Sequence, residues 1–180
     1  MRPSGSREEL TPALYAVLGL IARHGPMTPY ELKAKAEETV GPFWPLPHAQ
    51  LYRLPARLAD LGLLTEETEE GGRHRRVFRL TPAGQDALAR WLADPGTPPA
   101  ETRDPAQLKL AFADLGPGSA LRALARAQAA QHRALLDMYT SRKAALDPAD
   151  VATPSRRRML TFGIAHERTQ TEYWQSLLNG

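Results

Sequence analysis

Two groups of arginines are the side chains of this chain best suited to chemistry, and that chemistry is anion binding. Arg53 and Arg57 are one helical turn apart, on a face that also carries Tyr52. A second group lies within residues 73–79, a stretch with four arginines and no acid. Guanidinium groups present a planar fork of donors that fits phosphate and the major-groove edge of guanine. These groups indicate a surface that binds DNA.

The other polar side chains lack the spacings of an enzyme or of a metal site. The five histidines are scattered along the chain and form no HExxH pair. Cysteine is absent, which excludes thiolate ligands and disulfides. The chain also lacks a GxSxG elbow, a phosphate-binding loop and a dinucleotide fingerprint. We therefore expect no catalytic residue, no metal ion and no cofactor.

Three Thr-Pro pairs mark the starts of helices in the first half of the chain. Thr11, Thr28 and Thr81 each place an N-cap hydroxyl before a proline, whose missing N–H costs nothing at the first helical position. Glu31 follows Thr28 by three residues, which predicts a capping box. The helices predicted from these starts are residues 11–25, residues 29–40 and a further helix from residue 82 that packs back through Leu88, Trp91 and Leu92.

The arginines of the first group lie on a third predicted helix, which has two distinct faces. Its buried stripe before Gly62 consists of leucines at helical spacing: Leu51, Leu54, Leu58 and Leu61. Its opposite face carries small residues, one phenol and two guanidinium groups: Ala49, Tyr52, Arg53, Ala56 and Arg57. Because this face has no acid before Asp60, it can approach an anionic groove.

The arginines of the second group lie beside the turn of a predicted β-hairpin. Residues 63–68 and 75–80 have the composition of two short strands, and Gly71 with Gly72 supplies the turn. The order of three helices, a hairpin and a helix is typical of a winged helix, in which the third helix is the recognition helix and the hairpin is the wing. The predicted fold is mainly α with a small β-hairpin.

Five segments carry a family resemblance. Residues 16–30 (AVLGLIARHGPMTPY), 50–64 (QLYRLPARLADLGLL) and 76–84 (RVFRLTPAG) resemble the PadR family of bacterial transcription regulators. Residues 108–115 (LKLAFADL) and 163–174 (GIAHERTQTEYW) are similar to the two-helix dimerisation region of the longer PadR subfamily. The resemblance implies a homodimeric regulator, most often a repressor, that binds a pseudo-palindromic operator.

The resemblance also implies a small-molecule effector, because family members sense phenolic acids and drugs. An apolar aromatic effector is therefore expected as a partner. Trp44, Trp91 and Trp174 are candidates to line its pocket, although core packing is the simpler interpretation of each tryptophan.

Pro55 departs from the family pattern, which usually has a leucine at this place in the recognition helix. An interior proline removes one backbone hydrogen bond and costs about 3 kcal/mol. We expect a kink or early unwinding near Leu51, whose carbonyl loses its partner. As a hypothesis, the kink re-aims Arg57 relative to Tyr52 and Arg53.

The chain is expected to have two domains. Residues 1–94 form the winged helix-turn-helix domain, residues 95–104 form a proline-rich linker, and residues 105–180 form a C-terminal α-helical dimerisation arm. The arm is predicted to contain a helix from about residue 118 to 146 and another from about 154 to 178. These helices have more apolar surface than a lone hairpin can bury, so a second copy is expected. In a dimer the two recognition helices are spaced by about 34 Å, one turn of DNA.

Total charge does not support DNA binding, but its local distribution does. Residues 1–95 carry 12 basic and 12 acidic side chains, whereas residues 96–180 carry 11 basic and 8 acidic ones. The winged helix is therefore not basic overall. Four arginines nevertheless follow the turn within residues 73–79, while the preceding strand carries Glu66, Glu67, Glu69 and Glu70. This sorting creates a surface that faces phosphate.

Eight residues are predicted to contact DNA: His48, Gln50, Tyr52, Arg53, Arg57, Arg73, Arg75 and Arg76. The helix residues are placed to read base edges, and the wing arginines to hold phosphates or enter the minor groove. Each has an alternative. For the helix arginines the alternative is a solvated helix face, for Tyr52 it is packing against the wing, and for His48 it is capping or packing. The side chain of Gln50 has helix two as its other neighbour. The wing arginines have the strand glutamates as alternative partners.

The chain is predicted to be a soluble cytoplasmic protein. It has no N-terminal signal-like apolar run and no stretch that approaches the roughly 18 apolar residues of a membrane span. The competing hypothesis from another class is a winged-helix protein-interaction module, whose wing arginines bind an acidic partner and whose affinity for DNA is negligible.

Overall fold

The computed structural model describes residues 10–69, 75–150 and 153–178, except for the side chain of residue 69. The chain divides into two compact units, the first ending at Pro98 and the second beginning at Pro99. In the first unit lie α1 (Pro12–His24), α2 (Pro29–Thr39), α3 (His48–Asp60), β1 (Leu64–Glu69), β2 (Arg75–Leu80) and α4 (Pro82–Ala93). In the second lie α5 (Pro105–Ala111), a 3₁₀ turn (Ala113–Leu115), α6 (Gly118–Ala144) and α7 (Thr153–Ser176). Within these ranges no helix is both long and apolar enough to cross a bilayer.

All three Thr-Pro pairs begin helices, as predicted, but their hydroxyls differ. Thr28 and Glu31 form the complete capping box, because each side chain bonds the other's backbone N–H. Thr81 accepts a hydrogen bond from the N–H of Gly84 at 3.0 Å. Thr11 occupies the N-cap of α1 without a side-chain cap hydrogen bond. The expectation of a capping hydroxyl is therefore wrong for Thr11.

The core of the first unit joins α1, α2, α3 and the hairpin. Val17, Leu18, Leu58 and Phe78 are almost completely buried in it, along with residues of every other element except α4. Leu61 was predicted to extend the leucine stripe of α3, but it is the C-cap and is exposed. Leu92 was predicted to pack back, yet it too is exposed, because it lies in the last turn of α4.

A β-bridge that the sequence did not predict ties the turn between α1 and α2 to the hairpin. The N–H of Met27 donates to the carbonyl of Phe78 at 3.1 Å, and the N–H of Phe78 donates to the carbonyl of Met27 at 3.0 Å. Gly25 allows the chain to turn into this bridge, since its φ of 84° lies in the left-handed region. The start of α2 is therefore held beside β2.

Helix α3 is continuous from His48 to Asp60, with Pro55 inside it. The early unwinding expected near Leu51 does not occur. Pro55 is itself buried, as are Leu51, Leu54 and Leu58 on both sides of it. Packing of this stripe on the core holds the helix in spite of the missing hydrogen bond.

The second unit is built on the hairpin of α6 and α7. The residues that these helices bury between them are mostly small or polar, and we call this set the α6–α7 seam: Ala125, Ala129, His132, Leu136 and Tyr139 on α6, and Gly163, Glu167, Thr171 and Trp174 on α7. On α6 the seam residues are spaced alternately by four and three positions, which is the heptad spacing of coiled coils.

Candidate nucleic-acid interface

The exposed face of α3 displays four of the predicted contacts. His48, Tyr52, Arg53 and Arg57 are all exposed, because the leucine stripe on the opposite side of the helix enters the core. The His48 and Tyr52 rings lie 5.0 Å apart between centroids and are tilted by 48°. Tyr52 is thus supported by His48, one turn earlier on the same helix. The face combines two rings with two cationic groups.

Gln50 is less exposed than these four residues. Its side chain is only half-buried, and its N–H donates to the carbonyl of Pro47 at 2.8 Å in the first turn of α3. The predicted DNA contact by Gln50 therefore has less surface available than those of its neighbours.

On the wing, Arg76 is held by a carboxylate of the same hairpin. Its Nη2 donates to Oε2 of Glu66 at 2.6 Å, and its Nε donates to Oε1 of the same group. The guanidinium carbon also lies 5.4 Å from the centre of the Phe78 ring. The hydrogen bond from Arg76 lowers the pKa of Glu66, and the same bond raises the pKa of Arg76. Both groups are therefore charged at neutral pH, and each neutralises the other.

The other wing arginines differ in their surroundings. Arg79 meets Glu67 through a single contact of 3.4 Å. Arg75 is exposed and lies near enough to Glu31 to affect it: the backbone and side-chain hydrogen bonds of Thr28 lower the pKa of Glu31 most, and the charge of Arg75 lowers it further. Arg73 and the turn glycines, Gly71 and Gly72, lie outside the described residues.

Tyr30 is a candidate contact that the sequence analysis missed. It lies in the first turn of α2, and 75% of its surface is exposed. The bridge between Met27 and Phe78 holds this turn beside β2, so Tyr30 lies close to the base of the wing. The local sequence gives no sign of this position, because the start of α2 is brought to β2 by a long-range bridge.

The three tryptophans have different environments. Trp174 is 1% exposed and packs with Ala106, Ala125 and Ala129, so it is a core residue. Trp91 stacks on Tyr15 at 4.6 Å with an interplanar angle of 8°, and it is nearly half exposed, as is Trp44. The simple core interpretation holds for Trp174 and is wrong for Trp44 and Trp91.

Comparison with known proteins agrees with this architecture in both units. Residues 17–90 match the Transcriptional regulator PadR-like family, and residues 102–179 match the Virulence activator alpha C-term family. The chain is 26% identical over 172 residues to the negative transcriptional regulator PadR of Bacillus subtilis, covering 91% of this chain and 94% of that protein.

Solved structures show the same fold. Bacillus subtilis PadR in complex with operator DNA matches with a TM-score of 0.83 at 24% identity, over 96% of this chain and 99% of that one. The same regulator in complex with p-coumaric acid matches with a TM-score of 0.76 at 24% identity, over 92% and 95% of the two chains. The winged helix, the helical arm and these matches together show that the chain consists of a PadR-like family domain followed by a PadR C-terminal region.

Proposed function

We propose that the protein is a ligand-responsive repressor that binds a pseudo-palindromic operator as a homodimer. The observation that carries the proposal is the exposed face of α3, where Tyr52, Arg53 and Arg57 stand opposite a buried leucine stripe. A rigid helix that displays planar donors can enter the major groove, which is about 12 Å wide. The relative from Bacillus subtilis is a negative regulator, which favours repression.

In this proposal, residues 1–94 bind DNA, residues 95–104 are the linker and residues 105–180 form the dimerisation arm. The arm offers apolar surface to a second copy. Among the large apolar side chains of α6 and α7 that the structure describes, Leu136 and Trp174 are buried. The others predicted for these helices are half-exposed or exposed: Leu121, Leu124, Leu135, Met138, Met159, Leu160, Phe162, Ile164 and Tyr173. A dimer in which these residues pack on the partner removes this surface from water.

The effector in this proposal is a small planar aromatic acid. The relative from Bacillus subtilis forms a complex with p-coumaric acid. The half-exposed Trp91, stacked on Tyr15, offers a flat apolar surface to such a ring, and Trp44 is a second exposed candidate. An effector releases the operator only by as much as its affinities for the two conformations differ.

The proposed DNA contacts are His48, Gln50, Tyr52, Arg53 and Arg57 on α3 and Arg73, Arg75 and Arg76 on the wing. Arg53 is the sharpest test of these. We expect Arg53→Ala to weaken binding to the selected site by about tenfold or more, since a good bidentate base contact is worth about 1–3 kcal/mol. Arg23→Ala is the matched control, because Arg23 is an exposed arginine in the last turn of α1 and is not one of the proposed contacts.

The experiment is fluorescence anisotropy with duplex DNA containing a site that the wild-type protein selects from a random library, and with scrambled DNA, over a salt series. A regulator discriminates the two and loses affinity steeply as salt rises. If no site is enriched in the selection, the proposal is wrong. The interaction-module hypothesis then becomes the better one.

A further inference from the structure

Glu66 is an acidic residue of the hairpin that bonds a predicted DNA contact, Arg76. In the antiparallel register Glu66 pairs with Phe78, and Thr68 pairs with Arg76. Residues directly opposite one another share a face of the sheet, so Glu66, Arg76 and the buried Phe78 lie on the same face. Glu66 and Arg76 are diagonal neighbours there, which brings the carboxylate to the guanidinium.

The contact occupies one of the two bidentate edges of the Arg76 guanidinium, the edge formed by Nε and Nη2. Two nitrogens of Arg76 bond the two oxygens of Glu66, and the guanidinium is held near the ring of Phe78. A phosphate and a carboxylate bind the same edge of a guanidinium fork in the same bidentate geometry. Arg76 cannot give this edge to both at once.

We propose that Glu66 is a specificity-determining residue that competes with the DNA backbone for Arg76. The inference rests on the proposed function. A DNA site that the α3 face does not recognise gains too little binding free energy to displace the Glu66 carboxylate from Arg76. The negative charge of this carboxylate also repels the phosphates of that site. The wing then adds little to the binding of arbitrary DNA, and discrimination is left to the side chains of α3.

The matched control is the adjacent residue, Glu67. It carries the same charge on the next position of β1, but its partner Arg79 is reached through one contact of 3.4 Å. Glu67→Gln therefore reports the general effect of removing one negative charge from the wing. Glu66→Gln reports that effect together with the release of Arg76. Both replacements keep the size of the side chain.

The test measures the affinity of wild type, Glu66→Gln and Glu67→Gln for the selected duplex and for scrambled duplex by anisotropy, from low to high salt. We expect Glu66→Gln to bind scrambled DNA at least threefold more tightly than Glu67→Gln does. Its salt slope becomes steeper by about 0.9, the change for one added phosphate contact. The ratio of selected to scrambled affinity falls, because the selected site gains less.

A further variant ties the effect to Arg76. The comparison is repeated in the Arg76→Gln variant. There, adding Glu66→Gln should tighten binding to scrambled DNA only as much as Glu67→Gln tightens it in the wild-type protein. Equal effects of Glu66→Gln and Glu67→Gln, or weaker binding by Glu66→Gln, would overturn the competition while leaving the regulator intact. A wild-type protein that shows no site preference would instead refute the proposed function itself. Thermal unfolding of each variant shows whether the fold is kept.

Discussion

The wing and the helical arm each contain a carboxylate bonded to a basic nitrogen at 2.6 Å, but in opposite surroundings. In the Arg76–Glu66 pair, 48% and 30% of the two side chains are exposed, whereas in the His132–Glu167 pair the values are 14% and 9%. Water and ions compete for the first pair, so it contributes about 0–1 kcal/mol to stability. Little solvent reaches the His132–Glu167 pair, so water cannot replace a partner that is removed. The Arg76–Glu66 bond can thus be exchanged for a bond to another partner, whereas the His132–Glu167 bond is part of the packed interior of the arm.

The surroundings of the buried pair explain why it cannot be exchanged. Glu167 lies one turn after Gly163 on α7, and Gly163 packs against the ring of Tyr139 on α6. Burial raises the pKa of the Tyr139 phenol most, and the charge of Glu167 raises it further. The wing pair, in contrast, lies beside the Phe78 ring and is partly exposed to solvent. A group is free to change partners only where another partner can reach it.

The largest expected effect comes from breaking the buried pair. His132→Ala leaves the Glu167 carboxylate without its donor inside the seam, and we expect a loss of about 3 kcal/mol in the free energy of unfolding. The matched change on the wing, Arg76→Ala, should cost less than about 1 kcal/mol. Urea unfolding of both variants measures the difference. Similar losses at the two sites would remove the distinction between them.

A second test crowds the seam without touching a charge. A Cβ at Gly163 would lie 3.2 Å from Cδ2 and Cε2 of Tyr139, which is closer than ordinary contact. We expect Gly163→Leu to destabilise the protein by about 1–3 kcal/mol through overpacking. Gly118→Leu is the control, since nothing lies within 4 Å of a Cβ there. Equal melting temperatures for the two variants would show that α6 and α7 separate easily at this point.

The capping box of α2 lies between the two extremes, because Glu31 is exposed yet bonded by the local backbone. Thr28→Ala should cost about 1 kcal/mol, the usual value of an N-cap. Thr11→Ala is the matched control at another Thr-Pro start, where the hydroxyl makes no cap hydrogen bond. It should cost clearly less in the same unfolding experiment. A larger loss for Thr11→Ala than for Thr28→Ala would contradict this assignment of the caps.

The smallest expected effect is a pH dependence. Hydrogen bonds from Thr28 and Arg76 lower the pKa values of Glu31 and Glu66 below the ordinary 4.5. A lowered folded-state pKa stabilises the protein above the unfolded value, and this contribution disappears as pH falls through the folded value. Glu66→Gln should therefore lower the free energy of unfolding slightly at neutral pH and flatten its decline below about pH 4.5, so that the two proteins become similar in acid. Unfolding measured from about pH 3 to about pH 7 checks this, because side-chain carboxyl groups titrate within that interval.

Local features of the chain were predictable because they depend on residues a few positions apart. The capping box at Thr28 and Glu31, the helix end at Gly25 and the leucines of α3 are signals of this kind. Three segments of local sequence were enough to indicate the winged helix and its family. The DNA contacts themselves remain predictions, since they depend on a partner molecule.

The tertiary structure decided which residues meet across long stretches of chain. The bridge of Met27 to Phe78 and the burial of Pro55 within an unbroken α3 are examples. The α6–α7 seam is another example, since small residues such as Ala125 and Gly163 alternate there with large ones such as Trp174. The sequence alone determined where α1, α2 and α4 begin, because each start is set by an adjacent Thr-Pro pair. Only packing determined that the His132–Glu167 pair is buried while the Arg76–Glu66 pair remains open to exchange, because burial depends on contacts between distant elements.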